Sequence, residues 1–185
     1  MEEIPELRSA TVIAPEKNPR TMFKLIMAIL VMTAPIVASA QCIFKVDVKD
    51  PITNQQVKRH YFYLSGSFEI TISRHADNFE FMIDFALDGE QNFRVLPGSK
   101  TIIKLSSGES IEILNNNSAS PTTQFGRRIT SRYKLTHSVS LDFYRRLASS
   151  SVEHIRVELQ DQLIDAPVKS RVGEKISKYA DCIVQ

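Results

Sequence analysis

The stretch from Phe68 to Leu87, FEITISRHADNFEFMIDFAL, constrains the fold of this chain more than any other. Phe68, Ile70 and Ile72 alternate with Glu69, Thr71 and Ser73, and Phe79, Phe81, Ile83, Phe85 and Leu87 share one face of the run that follows. A period of two marks extended chain, because successive side chains of a strand point to opposite faces. His75-Ala76-Asp77-Asn78 between the two runs is short and polar, as a hairpin connection is. Neighbouring strands with one apolar face each need a second layer over that face, which points to a layered β-rich domain.

The same alternation recurs along the chain. Ile43 to Lys49 sets Phe44, Val46 and Val48 against Lys45, Asp47 and Lys49, and Asp50-Pro51-Ile52-Thr53-Asn54 ends it as a turn. Val57 to Leu64 is extended, and Phe93 to Leu96 is a short piece stopped by Pro97-Gly98. Thr101 to Leu105 and Glu109 to Leu114 flank Ser106-Ser107-Gly108 as a hairpin, and Ile129 to Leu135 and Val152 to Leu159 are further strands. Asn115 to Gln124 (NNNSASPTTQ) reads as a surface loop. Within it, Asn116-Asn117-Ser118 is a glycosylation tripeptide that matters only in a eukaryotic secretory route. Helical spacing comes late. Ser140 caps a helix carrying Leu141, Tyr144, Leu147 and Ala148, and Ser170 caps another carrying Val172, Ile176, Tyr179 and Ile183. No internal repeat or linker divides these segments. The pattern predicts one α+β domain, a mainly antiparallel sheet system of about seven to nine strands with two short C-terminal helices.

The N-terminal forty residues read differently. Leu25 to Val37 (LIMAILVMTAPIV) forms an apolar core, follows Lys17, Arg20 and Lys24, and precedes Ala38-Ser39-Ala40. A basic region, an apolar core and small residues three and one before a cut are the parts of a secretory signal peptide. Ala38 and Ala40 place the cut before Gln41, making residues 1–40 an extension plus signal peptide and 41–185 a single globular domain. Lipidation of Cys42 would need a small residue where Gln41 stands. An uncleaved signal anchor is the other alternative, since Leu25 to Phe44 is free of charge and long enough to span a bilayer. Thr33, Pro35, Ser39 and Gln41 thin its second half. Met22-Phe23-Lys24 makes an ordinary signal-peptide start, so translation from Met22 is a further alternative to Met1.

Removing residues 1–40 takes away four basic residues (Arg8, Lys17, Arg20, Lys24) and four acidic ones (Glu2, Glu3, Glu6, Glu16), leaving the net charge of +2 unchanged. That balance shows no tendency to bind polyanions, and no exposed aromatics interleave with the basic residues as single-stranded nucleic acid requires. The two cysteines, Cys42 and Cys182, sit at opposite ends of the predicted domain. In an exported protein an even count permits one bridge between them, with two unpaired thiols as the alternative. Two cysteines are too few for a structural zinc site.

No catalytic motif emerges. His60, His75, His137 and His154 match no metal-binding spacing, and nothing nominates a cofactor. Ser131-Arg132-Tyr133-Lys134 fits the S-x-x-K pattern of acylating enzymes, which needs a helix. In an alternating strand Ser131 and Lys134 fall on opposite faces. Arg127, Arg128, Arg132 and Lys134, with Arg145 and Arg146 on the next helix, form a candidate patch for an anionic lipid, glycan or partner. The plainer reading is a solvated strand face that discourages edge pairing.

Several positions together resemble a group of small uncharacterised exported bacterial proteins. They are Cys42 just after the signal, the Asp50-x-x-Thr53 turn, the Lys104 to Ile113 hairpin, Tyr133-x-Leu135, the helix with Leu147, and Ile155-Arg156-Val157. The resemblance implies export and a shared β-rich fold, and no activity. The expectation is therefore a periplasmic or secreted, non-enzymatic binding or structural domain whose partner is a protein or envelope component. A signal-anchored form of the same domain and a hydrolase built from spatially convergent acids or histidines are the alternatives.

Overall fold

The computed structural model describes residues 42–185. The expected signal segment, its cleavage residues Ala38, Ala40 and Gln41, and the start at Met22 lie outside the described residues. The strands are β1 (Val46–Lys49), β2 (Gln56–Ser65), β3 (Phe68–His75), β4 (Asn78–Asp88), β5 (Lys100–Leu105), β6 (Ser110–Leu114), β7 (Thr122–Phe125), β8 (Ile129–Val139), β9 (Val152–Glu158) and β10 (Leu163–Pro167). Helix α1 (Leu141–Ala148) lies between β8 and β9, and α2 (Ser170–Val184) closes the chain. None of the described helices is long and apolar enough to cross a membrane.

All strand pairs are antiparallel, in two sheets: six strands in the order β1-β2-β3-β4-β8-β7, and four in the order β10-β9-β5-β6. The expected hairpin over Phe68–Leu87 forms with a two-residue loop, and its register sets Ile70 opposite Ile83 and Ile72 opposite Phe81. β8 continues the rows, with Leu135 beside Ile83 and Tyr133 beside Phe85. These residues and their counterparts Ile103, Leu105, Ile155 and Val157 on the small sheet are buried in one core. Alternation thus did what it predicts: apolar positions two apart turn the same way and meet across the layers.

This is the expected α+β domain, with ten strands rather than about seven to nine. β7 and β10 are the strands the alternation did not show. β7 begins inside the expected loop Asn115–Gln124 and ends one residue beyond it, and the loop is also tied down by an isolated bridge from Val95 to Ala119. Phe93–Leu96 contributes that bridge rather than a strand. The first strand is shorter than expected, beginning at Val46, with Val48 exposed. The Asp50 turn is present: its carboxylate accepts the backbone N–H groups of Ile52 (2.8 Å) and Thr53 (2.9 Å), which hold its pKa below the usual carboxylate value.

Ser140 caps α1 as expected, accepting the Phe143 N–H at 3.2 Å. Ser170 does not cap α2. Lys169 occupies that position and makes no side-chain cap, while the Ser170 hydroxyl donates to Glu174 at 3.0 Å. α2 packs against β9 so closely that Gly173 leaves no room for a side chain over the Val152 carbonyl, and the Ser177 hydroxyl donates to the carbonyl of Ser150. Arg74 of β3 donates to the carbonyl of Ile183 in the last turn of α2 (3.0 Å), supplying the positive charge that this helix end lacks in its own sequence.

Candidate functional site

The two sheets do not meet evenly, and the site lies where they part. β1 pairs with β2 only from Gln56 to Arg59, so Tyr61 to Ser65 run on without a strand partner on that side among the described residues. β10 is an outer strand of the small sheet and faces the same gap. Between them opens a cleft of about 530 Å³. Its floor is apolar: Leu64, Phe68, Phe85 and Leu87 from the large sheet, against Ile164, Ala166 and Val168 from β10 and the segment after it. Phe68 stacks on Phe85 (centroids 5.4 Å) and Phe85 on Tyr133 (4.9 Å), a column of near-parallel rings that follows the register of β3, β4 and β8. Tyr133 anchors the far end by donating its hydroxyl to the Phe93 carbonyl at 2.9 Å.

Few polar groups line this cleft. Ser65 and Ser67 stand at its exposed mouth, and two charged residues, Asp165 and Lys169, lie on the β10 side. Arg156 forks onto the Asp165 carboxylate (2.6 and 3.1 Å), and His154 Nε2 lies 3.1 Å from it. The Arg156 bond, followed by that of His154, holds the Asp165 pKa below its usual value despite some burial. Lys169 has no carboxylate partner among the described residues. Sequence reasoning missed this site because it missed β10. Ile164, Ala166 and Val168 do alternate, but Asp165 and Pro167 break the apolar signal, and proline is tolerated there only because the strand is an edge.

The cationic residues do not gather into one patch. Arg127 and Arg128 are exposed in the turn before β8, while Arg145 and Arg146 lie on α1 beyond its other end. An eleven-residue strand separates them, a span of about 33 Å at the usual rise per residue. Arg132 and Lys134 do share the outer face of the large sheet, yet Arg132 forks onto Asp84 (2.6 and 2.9 Å), with Glu69 and Tyr63 alongside. Arg146 pairs with Glu109 at 2.7 Å. Nor is this strand a free edge throughout, since β7 covers β8 from Ile129 to Arg132.

The serine of S-x-x-K is fully buried, donating to the Gly89 carbonyl (3.0 Å) and accepting the Gln91 N–H (2.8 Å), while Lys134 is exposed on the opposite face. Among the described residues no three His, Cys, Asp or Glu side chains converge as a metal site would need.

A second cluster joins the start of the described domain to its last helix. Cys42 and Cys182 form the disulfide, with Cα atoms 6.1 Å apart. Beside it Tyr179 stacks on His60 (3.8 Å), meets Phe44 and Phe62 edge-on (5.5 and 5.6 Å), and donates its hydroxyl to the Ile43 carbonyl at 2.8 Å. No protein-family model matches the chain, and neither a curated protein nor a solved structure matches it.

Proposed function

We propose that residues 41–185 are an exported domain, periplasmic or secreted, that works by binding, and that the cleft between β2 and β10 takes an apolar ligand. One observation carries this reading: an opening of about 530 Å³ lined mainly by apolar side chains from both sheets, beside the common core. Apolar surface left open to water forgoes about 25 cal/mol for each Å² that could have been buried, so a concave apolar opening of this size marks a ligand site. The one carboxylate in the lining is engaged by Arg156 and His154, which favours binding over acid–base chemistry. The disulfide supports an oxidising compartment.

Titration with the neutral apolar dye N-phenylnaphthylamine tests the cleft. A single saturable fluorescence enhancement is expected, and Ser67→Trp, which places an indole in the exposed mouth, abolishes it. Enhancement that does not saturate, or that Ser67→Trp leaves unchanged, contradicts the reading. For export, the protein recovered outside the cytoplasm of a bacterial host is expected to begin at Gln41 and to carry no free thiol by intact mass. Retention of residues 25–37 would instead show an anchor.

A further inference from the structure

We infer that the cleft binds an anionic amphiphile, an acyl chain ending in a carboxylate or similar acidic head, with the chain along the apolar floor and the head at Lys169. This rests on the binding role proposed above and specifies its ligand.

The shape and chemistry of the lining argue for a chain. Leu64, Phe68, Phe85, Ile164, Ala166 and Val168 offer only hydrocarbon, from two sheets at once, so a flexible apolar chain fits without leaving a polar group unpaired. A peptide strand added to the β10 edge fits less well. The Leu159 N–H bonds to Gln162 and the Val168 N–H to Glu153, both at 2.8 Å, so alternation turns Leu163, Asp165 and Pro167 towards the open edge. Pro167 has no N–H to donate there, which interrupts any ladder.

The charges then select the head group. Of the two ionisable groups on the lining, Asp165 is already neutralised by the Arg156 guanidinium, and Lys169 is exposed without a carboxylate partner among the described residues. A cation at the rim of an apolar cleft complements a molecule with a hydrocarbon body and one acidic end. It gives no advantage to a neutral lipid or to a cationic one.

Calorimetric titration of the purified protein, expressed from the full chain, with straight-chain fatty acids and the matching primary alcohols tests this. One-to-one binding is expected, tightening by about four-fold per added methylene until the cleft is filled. The acid is expected to bind about two- to five-fold more tightly than the alcohol of equal length, the range of an exposed ion pair. Lys169→Gln is expected to remove that difference while keeping the chain-length dependence. Ser67→Trp, with circular dichroism as the check of folding, is expected to abolish binding of both series. Equal affinity for acids and alcohols in the unsubstituted protein overturns the anionic assignment and leaves the apolar cleft standing. No binding of either series overturns both readings. Acid binding that survives Ser67→Trp places the ligand elsewhere and also overturns the inference.

Discussion

His60 shows how one residue can tie stability to pH. Its ring lies against Tyr179 and Phe62, and its Nδ1 is buried without a hydrogen-bond partner among the described residues. Burial lowers its pKa, and the nearby Lys45 and Lys175 lower it further. His137, buried on the inner face of β8, is lowered by desolvation as well. Both therefore fold as neutral imidazoles. Their contribution is complete above the unfolded-state pKa of about 6.5 and is lost as pH falls through the lower folded value, because the unfolded chain then binds more protons. Thermal midpoints measured between about pH 7.5 and pH 5 should fall with acidification. His60→Phe, which keeps a ring against Tyr179 and cannot titrate, should flatten part of that fall. An unchanged slope would show that His60 is not one of the groups responsible.

At the scale of elements, the contact of α2 with β9 decides how the small sheet is held. Gly173 is where the helix touches the strand backbone: a Cβ there would overlap the Val152 carbonyl oxygen and crowd Ser151 Oγ at 2.6 Å. Alanine is normally the better helix former by about 1 kcal/mol. Forcing a methyl against backbone that cannot rotate away costs about 1–3 kcal/mol, so Gly173→Ala should destabilise by up to about 2 kcal/mol net. Urea unfolding should show a lower midpoint with an unchanged slope; a raised midpoint would mean that the helix can shift. Sequence periodicity placed α2 through Ile176 and Ile183, and both are buried. It could not show that Gly173 and Ser177 face β9, because a glycine and a serine carry no apolar signal and their role depends on what the helix lies against. The same limit hid β7 and β10. Both are short edge strands, β7 with little apolar content and β10 with a proline, and edges are recognised by their neighbours.

For the molecule as a whole, the disulfide is the long-range constraint. It joins residues 140 positions apart, fastening the segment before β1 to the last helix. In the chain-entropy account a loop of that length stabilises the fold by about 5 kcal/mol, comparable with the whole stability of a marginal domain. The double variant Cys42→Ser, Cys182→Ser should therefore unfold at markedly lower urea than the oxidised protein. The Tyr179 contacts with Ile43 and Phe44 remain to hold the ends together, so partial rather than complete loss is expected. A loss well under about 1 kcal/mol would show that the ends are already fixed without the bond.

The sequence by itself determined the β-rich α+β class, the central hairpin, most of the strands, both helices and the pair of cysteines available to bridge. Each of these follows from local periodicity, capping or residue count, which act over a few neighbours or need no geometry. Only the tertiary structure decided where the sheets part, and so that Leu64, Phe85 and Ile164 line one cleft although they lie up to a hundred positions apart. It likewise kept six cationic residues that are near in sequence from forming one patch, because the eleven extended residues of β8 carry its two ends far apart. A binding site is a relation between elements, and no periodicity along one chain segment encodes the space left between two of them.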